Sequence, residues 1–151
     1  MTTKTLIAIE LDDLSANAVL EKAKNVLGEE ERFGVAHIID PTSIAYSVDP
    51  TFTGKFHKRF EETAVHRAHE RMTELLDRHE LSGGVQHVRV GKVSKELEGL
   101  IAEHGYHQLV IGSHGWQGWR RLLGTHAATI VNRVPVNSWI LRIPSADEAQ
   151  A

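Results

Sequence analysis

Apolar residues along the chain follow two different spacings, and the spacing distinguishes strands from helices. Continuous apolar runs such as residues 5–9 (TLIAI) and 33–39 (FGVAHII) are typical of strands that are buried on both faces. Between them, residues 15–27 place apolar side chains three and four positions apart, which predicts a helix with one buried face. The same alternation predicts later strands at 85–90, 108–111 and 136–143, and later helices at 55–79, 94–103 and 121–134.

Five strands separated by four helices predict an α/β fold, in which a parallel sheet carries helices on both faces. No internal repeat or linker divides the sequence, so we expect one domain over residues 1–144 and a flexible tail over 145–151. Residues 40–53 contain two of the four prolines and are predicted to form a loop. The predicted caps are Asp12, Asp13 or Ser15 for the first helix and Ser94 for the third.

Composition removes several classes of function. The 151 residues include 17 Lys and Arg against 20 Asp and Glu, a formal net charge of −3, which provides no basic surface for nucleic acid or an anionic membrane. No apolar run approaches the ~20 residues of a membrane-spanning helix, and the first residues lack the layout of a signal peptide. Cys is absent, so thiol nucleophiles and thiolate metal sites are excluded. These features predict a cytoplasmic protein.

The richest candidate chemistry follows the fourth predicted strand, in GSHGWQGWRRLLGT at residues 112–125. Glycines let backbone N–H groups approach an anion, and the dipole of a following helix favours negative charge. Gly112, Gly115 and Gly124 therefore form a candidate phosphate site, to which Thr125 adds a hydroxyl. The loop is not a P-loop because no Lys follows the glycines, and a dinucleotide loop would follow the first strand. The alternative is that Gly112 and Gly115 only turn the chain and that Gly124 allows close helix packing.

The ten histidines raise the question of a metal site. His66 and His69 are three positions apart on a predicted helix, a spacing that suits Zn²⁺ or Ni²⁺, but no third ligand is defined nearby. We therefore predict no metal site, and we expect most histidines of the polar helix 55–79 to be solvated. No pattern of Ser, His and carboxylate assigns a catalytic residue, so the sequence favours a protein without enzymatic activity but leaves the question open.

Over essentially its whole length the sequence resembles the universal stress protein family. The resemblance rests on the segments TLIAIELDDLSANAVLEKA, AHIID, VRVGKVSKELEGLIAEHGYHQLVIGSHG and VPVNSWILRIP. It implies a stress-response protein with a five-stranded parallel sheet of strand order 3-2-1-4-5, usually as a homodimer. The last strand lies at the sheet edge in that fold, and an unpaired apolar edge favours pairing with a second copy. The predicted dimer interface is therefore formed by Trp139, Ile140 and Leu141.

The family has one branch that binds ATP and another, the universal stress protein A branch, that is not considered to bind nucleotides. The ATP-binding loop resembles G-x2-G-x9-G-[ST], and residues 112–125 match it except that eight residues rather than nine precede Gly124. ATP-binding members have Asp at the end of the first strand, where this chain has Glu10, and the backbone at the position of Ile38 faces adenine. The resemblance thus implies a site for ATP with Mg²⁺ at Glu10, Ile38, Gly112, Gly115, Gly124 and Thr125.

Other interpretations remain open. The segment HGWQGWRRLL resembles the A branch, and Trp116 or Trp119 either stacks on a base or packs against the sheet or a partner subunit. In the second case the chain is an interaction module with an unidentified regulatory protein partner. Glu10 can equally be a solvated or capping carboxylate. Slow ATP hydrolysis at the same loop is the minor alternative, because no residue is defined as a base for water.

Overall fold

A computed structural model describes residues 3–28, 32–41, 54–112, 130 and 132–143, and of residues 54–57 it describes only the backbone. The strands are β1 (Lys4–Ala8), β2 (Arg32–Ile39), β3 (Val85–Val90), β4 (Gln108–Gly112) and β5 (Asn137–Leu141). The helices are α1 (Asp13–Val26), α2 (Gly54–Arg78) and α3 (Val93–His104). Residues 130, 132 and 133 are also helical. The rest of the predicted helix 121–134, most of the predicted loop 40–53 and the predicted tail lie outside the described residues.

The five strands are all parallel and follow the order β3-β2-β1-β4-β5. This confirms the predicted fold class and strand order. The chain builds the sheet outward from β1 to β3, and then places β4 and β5 on the other side of β1. The strand order reverses between β1 and β4. In open α/β sheets, ligands bind beyond the carboxyl ends of the strands at such a reversal.

Two apolar cores cover the two faces of the sheet. On one face, Ile7 and Val110 pack with apolar residues of α1 and α2. On the other face, Leu6 and Leu109 pack with α3. Neighbouring residues of a strand point to opposite faces, so β1 and β4 each contribute one of these side chains to each core. All four side chains are fully buried. Burial on both faces explains why the strands appear in the sequence as continuous apolar runs.

The predicted N-terminal cap is confirmed for α1 but not for α3. Helix α1 is capped as predicted, since the Asp12 carboxylate accepts the Ser15 N–H at 2.8 Å. The predicted cap of α3 was wrong. The N-cap position is Lys92, which makes no capping hydrogen bond through its side chain, and Ser94 is buried inside the first turn. Among the described residues, no helix is both long enough and apolar enough to cross a membrane.

The prediction of solvated histidines fails for His79, which is only 8% exposed at the end of α2. Its Nδ1 lies 3.0 Å from Oε2 of Glu21, and its Nε2 lies 2.6 Å from Oδ1 of Asn17. Both partners belong to α1. The ring can be buried because both of its nitrogen atoms have hydrogen-bond partners. These contacts connect the end of α2 to α1.

Candidate functional site

Glu10 and Gly112 lie at the carboxyl ends of the two central strands. Glu10 follows β1 and is half-buried, and Gly112 is the last residue of β4. Because Ile7 lies opposite Val110 in parallel strands, both ends reach the same edge of the sheet. The structure therefore brings these two predicted site residues to the reversal of strand order. The other predicted or weighed loop residues lie outside the described residues: Gly115, Trp116, Trp119, Gly124 and Thr125.

Gly112 is closely surrounded by the apolar core. A Cβ atom placed on it would lie 2.2 Å from Cδ1 of Ile143 and 3.0 Å from Cγ2 of Val19. Its backbone does not have the left-handed conformation that favours glycine, since only Gly91 and Gly105 have positive φ among the described glycines. A larger residue at Gly112 would therefore force the side chains of Ile143 and Val19 to shift. This gives Gly112 a packing reason to be glycine that the sequence did not predict, and its contact with phosphate stays a prediction.

Ile38 lies near the carboxyl end of β2, where the pairing with β1 stops. The last opposed pair is Ala8 and Ala36, and the Ile9 N–H donates to the Ala36 carbonyl at 2.9 Å. The Ile9 carbonyl lies 2.9 Å from Nδ1 of the neighbouring His37. Burial lowers the pKa of His37, and the hydrogen bond to Ile9 partly opposes that effect. The ring is therefore neutral near pH 7 and donates from Nδ1, because a carbonyl can only accept.

Carboxylates cluster after β1. They are Glu10, Asp12 and Asp13. One oxygen of Asp12 caps α1, whereas its Oδ1 is buried and has no hydrogen-bond partner within the described part of the chain. Asp13 is paired with Arg71 and lies 3.7 Å from Arg78, so guanidinium groups balance part of the negative charge that follows β1.

His66 and His69, the pair considered for metal binding, contact different neighbours. Nε2 of His66 lies 3.0 Å from Oε1 of Glu70 on the surface of α2. Nδ1 of His69 lies 3.2 Å from Oε1 of Gln86 on β3. Within the described ranges, no three His, Cys, Asp or Glu side chains are grouped so that they can hold a metal ion.

Strand β5 exposes large apolar side chains on both sides of the sheet edge. Trp139 is 51% exposed and Ile140 is 52% exposed, and as neighbours in a strand they point to opposite faces. The Trp139 indole N–H donates to Oε1 of Gln108 at 3.0 Å, which fixes the ring across the start of β4. Leu141 is half-buried and packs against the core under α1. Its predicted role in a dimer interface stays a prediction.

Sequence reasoning missed a buried polar cluster on the α3 face of the sheet. Nε2 of His87 lies 2.6 Å from the hydroxyl of Tyr106, and the Lys4 ammonium lies 4.9 Å from the centre of the Tyr106 ring. A Cβ atom on Gly34 would lie 1.9 Å from the Tyr106 hydroxyl oxygen. One available signal was the isolated glycine inside an apolar strand, which often marks a close approach.

Comparison with known proteins agrees with this architecture. A model of the universal stress protein family matches residues 1–142. Universal stress protein A homolog 1 of Coxiella burnetii is 26% identical over 127 residues, which cover 84% of this chain and 87% of that protein.

Two solved structures share the fold. Universal stress protein UspA from Lactobacillus plantarum has a TM-score of 0.66 at 15% identity, and the match covers 93% of this chain and 97% of that one. A universal stress protein in complex with cAMP has a TM-score of 0.60 at 18% identity, with the same shares covered. At these identities the structures establish similarity of fold.

Proposed function

The chain belongs to the universal stress protein family, and we propose that it is a cytoplasmic stress-response homodimer that binds an adenine nucleotide. The observation that carries the proposal is the reversal of strand order between β1 and β4, where Glu10 and Gly112 reach one edge of the sheet. The similar fold of a universal stress protein in complex with cAMP supports an adenine nucleotide as the class of ligand.

The distribution of charge gives the proposed orientation of the nucleotide. Carboxylates follow β1, whereas β4 leads into residues 112–125, which contain four glycines and two arginines. Phosphate is attracted by backbone N–H groups and guanidinium groups and is repelled by carboxylates. The base and ribose therefore lie beside Glu10 and Ile38, and the loop glycines with Thr125 hold the phosphates and their Mg²⁺.

The homodimer is proposed to form through the edge of β5. Trp139 and Ile140 offer apolar surface on both sides of this edge, and pairing of two β5 strands about a two-fold axis buries both. Aromatic side chains at the centre of an interface contribute strongly to its affinity. Leu141 completes the proposed interface from its half-buried position.

A second candidate function is an interaction module that binds no nucleotide and regulates a protein partner. The tight packing around Gly112 favours it, because the side chains of Ile143 and Val19 give this glycine a role without a ligand. Slow ATP hydrolysis at the same loop is the minor alternative. Both share the fold and the proposed dimer. A binding experiment separates the interaction module from the leading proposal, whereas slow hydrolysis is tested by ATP turnover above that of a loop variant.

Chemical-shift mapping tests the proposed site residue by residue. Adding Mg-ATP or cAMP to the ¹⁵N-labelled protein is expected to shift the backbone signals of Glu10, Ile38 and Gly112, and to leave that of His79 unchanged. Glu10→Asp provides the shorter side chain that ATP-binding members have at this position, and is expected to strengthen ATP binding. Glu10→Gln removes the charge and is expected to weaken it. Signals that stay in place up to millimolar nucleotide would reject this site and favour the interaction module.

A further inference from the structure

We infer that Arg71 of α2 is a positioning residue for the proposed nucleotide site, because its guanidinium group holds the turn between β1 and α1 that contains Glu10. The contacts with this turn stand independently, whereas their effect on a nucleotide rests on the proposed function. Two contacts carry the inference. The Arg71 Nε–H donates to the Leu11 carbonyl at 3.4 Å, and Nη2 of Arg71 is paired with Oδ1 of Asp13.

The guanidinium group of Arg71 is suited to fixing a backbone segment. Its N–H donors lie in one rigid plane, so contacts with several acceptors restrict the orientation of the group as well as its position. A third contact, from Nη1 to Oε1 of Glu74 at 3.1 Å, holds the group from its own helix. The Arg71 side chain is only 26% exposed, so most of it is covered by the protein. The group therefore extends from α2 in one defined direction, towards the turn after β1.

The turn after β1 is anchored on both sides of Glu10. Before Glu10, the Ile9 N–H donates to the Ala36 carbonyl of β2 at 2.9 Å. After Glu10, the Leu11 carbonyl accepts the hydrogen bond from Arg71, and the Leu11 side chain packs against the core under α1. Glu10 therefore lies between two residues whose backbones are held by different elements, β2 and α2. The place from which its side chain extends at the sheet edge depends on both.

A second arginine of α2 provides a matched comparison. Arg78, two turns further along the helix, lies 3.7 Å from the same oxygen of Asp13 and 3.2 Å from Oε1 of Glu74. Within the described part of the chain, only Arg71 of these two arginines also bonds to the Leu11 carbonyl. The Asp13 side chain is 76% exposed, and ion pairs with such carboxylates contribute little to stability because water and salt screen them. We therefore expect Arg71 to affect the geometry of the turn more than the global stability.

Amide hydrogen exchange tests the attachment of the turn. The Ala16 N–H donates to the Asp12 carbonyl at 3.0 Å and reports on the end of the turn where α1 begins. Arg71→Met removes the guanidinium group and keeps a long side chain. Exchange at Ala16 is expected to accelerate about fivefold, which corresponds to one net hydrogen bond of ~1 kcal/mol. Arg78→Met is the matched control, because it removes the same charge from the same helix and leaves the contact with Leu11 in place.

A measurement on the wild type covers the case in which Arg71→Met fails to fold. The side-chain Nε–H of Arg71 is expected to exchange severalfold more slowly than that of Arg67, which is exposed on the same helix. A hydrogen-bonded N–H is protected from exchange, whereas a solvated one is not. Equal exchange rates of the two side chains would overturn the contact with the Leu11 carbonyl.

Nucleotide titration tests the effect on the proposed site. Affinity for Mg-ATP or cAMP is expected to fall about fivefold in Arg71→Met, the effect of one net hydrogen bond, and to stay close to that of the wild type in Arg78→Met. A double-mutant cycle with Glu10→Gln separates positioning from a general loss of structure. Once the Glu10 carboxylate is removed, Arg71→Met should lower the affinity little further. Additive effects would overturn an action of Arg71 through Glu10.

The outcomes separate this inference from the proposed function. Unchanged exchange at Ala16 in a folded Arg71→Met variant overturns the role of Arg71 in the turn. Faster exchange in a protein that binds neither Mg-ATP nor cAMP supports that role, and overturns the effect on the site together with the proposed function. Nucleotide binding that is equally tight in wild type and Arg71→Met overturns the effect on the site alone.

Discussion

The hydroxyl of Tyr106 lies 2.6 Å from Nε2 of His87, in a buried contact that joins the end of α3 to strand β3. The His104 ring centre is 4.6 Å from that of His87, and the Lys4 ammonium lies above the Tyr106 ring. Burial, aided by the positive charges of His104, Arg89 and Lys4, lowers the pKa of His87 to about 4, and burial raises the pKa of Tyr106. Both groups are therefore neutral near pH 7.

This contact predicts a loss of stability in mild acid. The unfolded chain protonates His87 near its ordinary pKa of 6.5, whereas the folded protein does so only at about 4. Between these values the unfolded state binds more protons, so the free energy of unfolding falls as the pH is lowered through this window. We expect a decrease on the order of 1–3 kcal/mol from this residue. Urea unfolding across the window measures it, with His87→Gln as the comparison, and an unchanged pH slope in that variant would contradict the assignment.

Gly34→Ala is expected to destabilise the same cluster. Its Cβ would lie 1.9 Å from the Tyr106 hydroxyl oxygen, and relieving the clash should cost about 1–3 kcal/mol. Tyr106→Phe in the same chain should recover part of the loss, because it removes the nearest atom. Gly83→Ala is the matched control, since a Cβ there meets nothing within 4 Å and the backbone is not left-handed. Equal stability of the Gly34 and Gly83 variants in urea would refute the close approach.

Gly112→Ala tests whether packing requires this glycine. Contact with Cδ1 of Ile143 predicts a loss of about 1–3 kcal/mol in the free energy of unfolding. Ile143→Val removes that methyl group. The double variant should therefore lose less free energy of unfolding than the two single variants lose together. A double-mutant cycle measures this coupling. Strictly additive effects would mean that the two side chains do not compete for the same space.

Ile140→Glu is expected to separate the proposed dimer into monomers, because a charge would have to be buried at the paired β5 edges. Val85→Glu places the same charge on β3 at the opposite edge of the sheet, where Val85 is 54% exposed, and should leave the dimer intact. Sedimentation velocity measures both masses. A wild type that sediments as a monomer, or an Ile140→Glu variant that stays dimeric, would exclude an interface at β5.

The fold was largely predictable because the central strands β1, β2 and β4 are buried on both faces. Residues 5–9 and 108–111 are mainly apolar, and each segment coincides within one residue with a strand. The strand order came from the resemblance to the family, since periodicity cannot say which strands are neighbours. The place of Glu10 and Gly112 at one edge of the sheet was predictable because both lie at the ends of predicted strands, and the carboxyl ends of parallel strands meet at one edge.

The contacts that define the local chemistry were not predictable in the same way. His87 and Tyr106 are 19 residues apart, and nothing in their spacing says that the hydroxyl reaches the ring. His37 appears in the sequence as one polar residue in an apolar strand. Its contact with the Ile9 carbonyl depends on where the pairing of β1 and β2 ends, which only the three-dimensional register reveals.

Calorimetric titration of the purified protein with Mg-ATP tests the central claim most directly. Gly124→Trp is the control, because a bulky side chain prevents the loop backbone from closing on phosphate. Adenine nucleotide binding predicts saturable heat with an affinity in the low micromolar range, which is lost in the variant. No heat up to millimolar Mg-ATP would contradict it, and would direct the search to a protein partner.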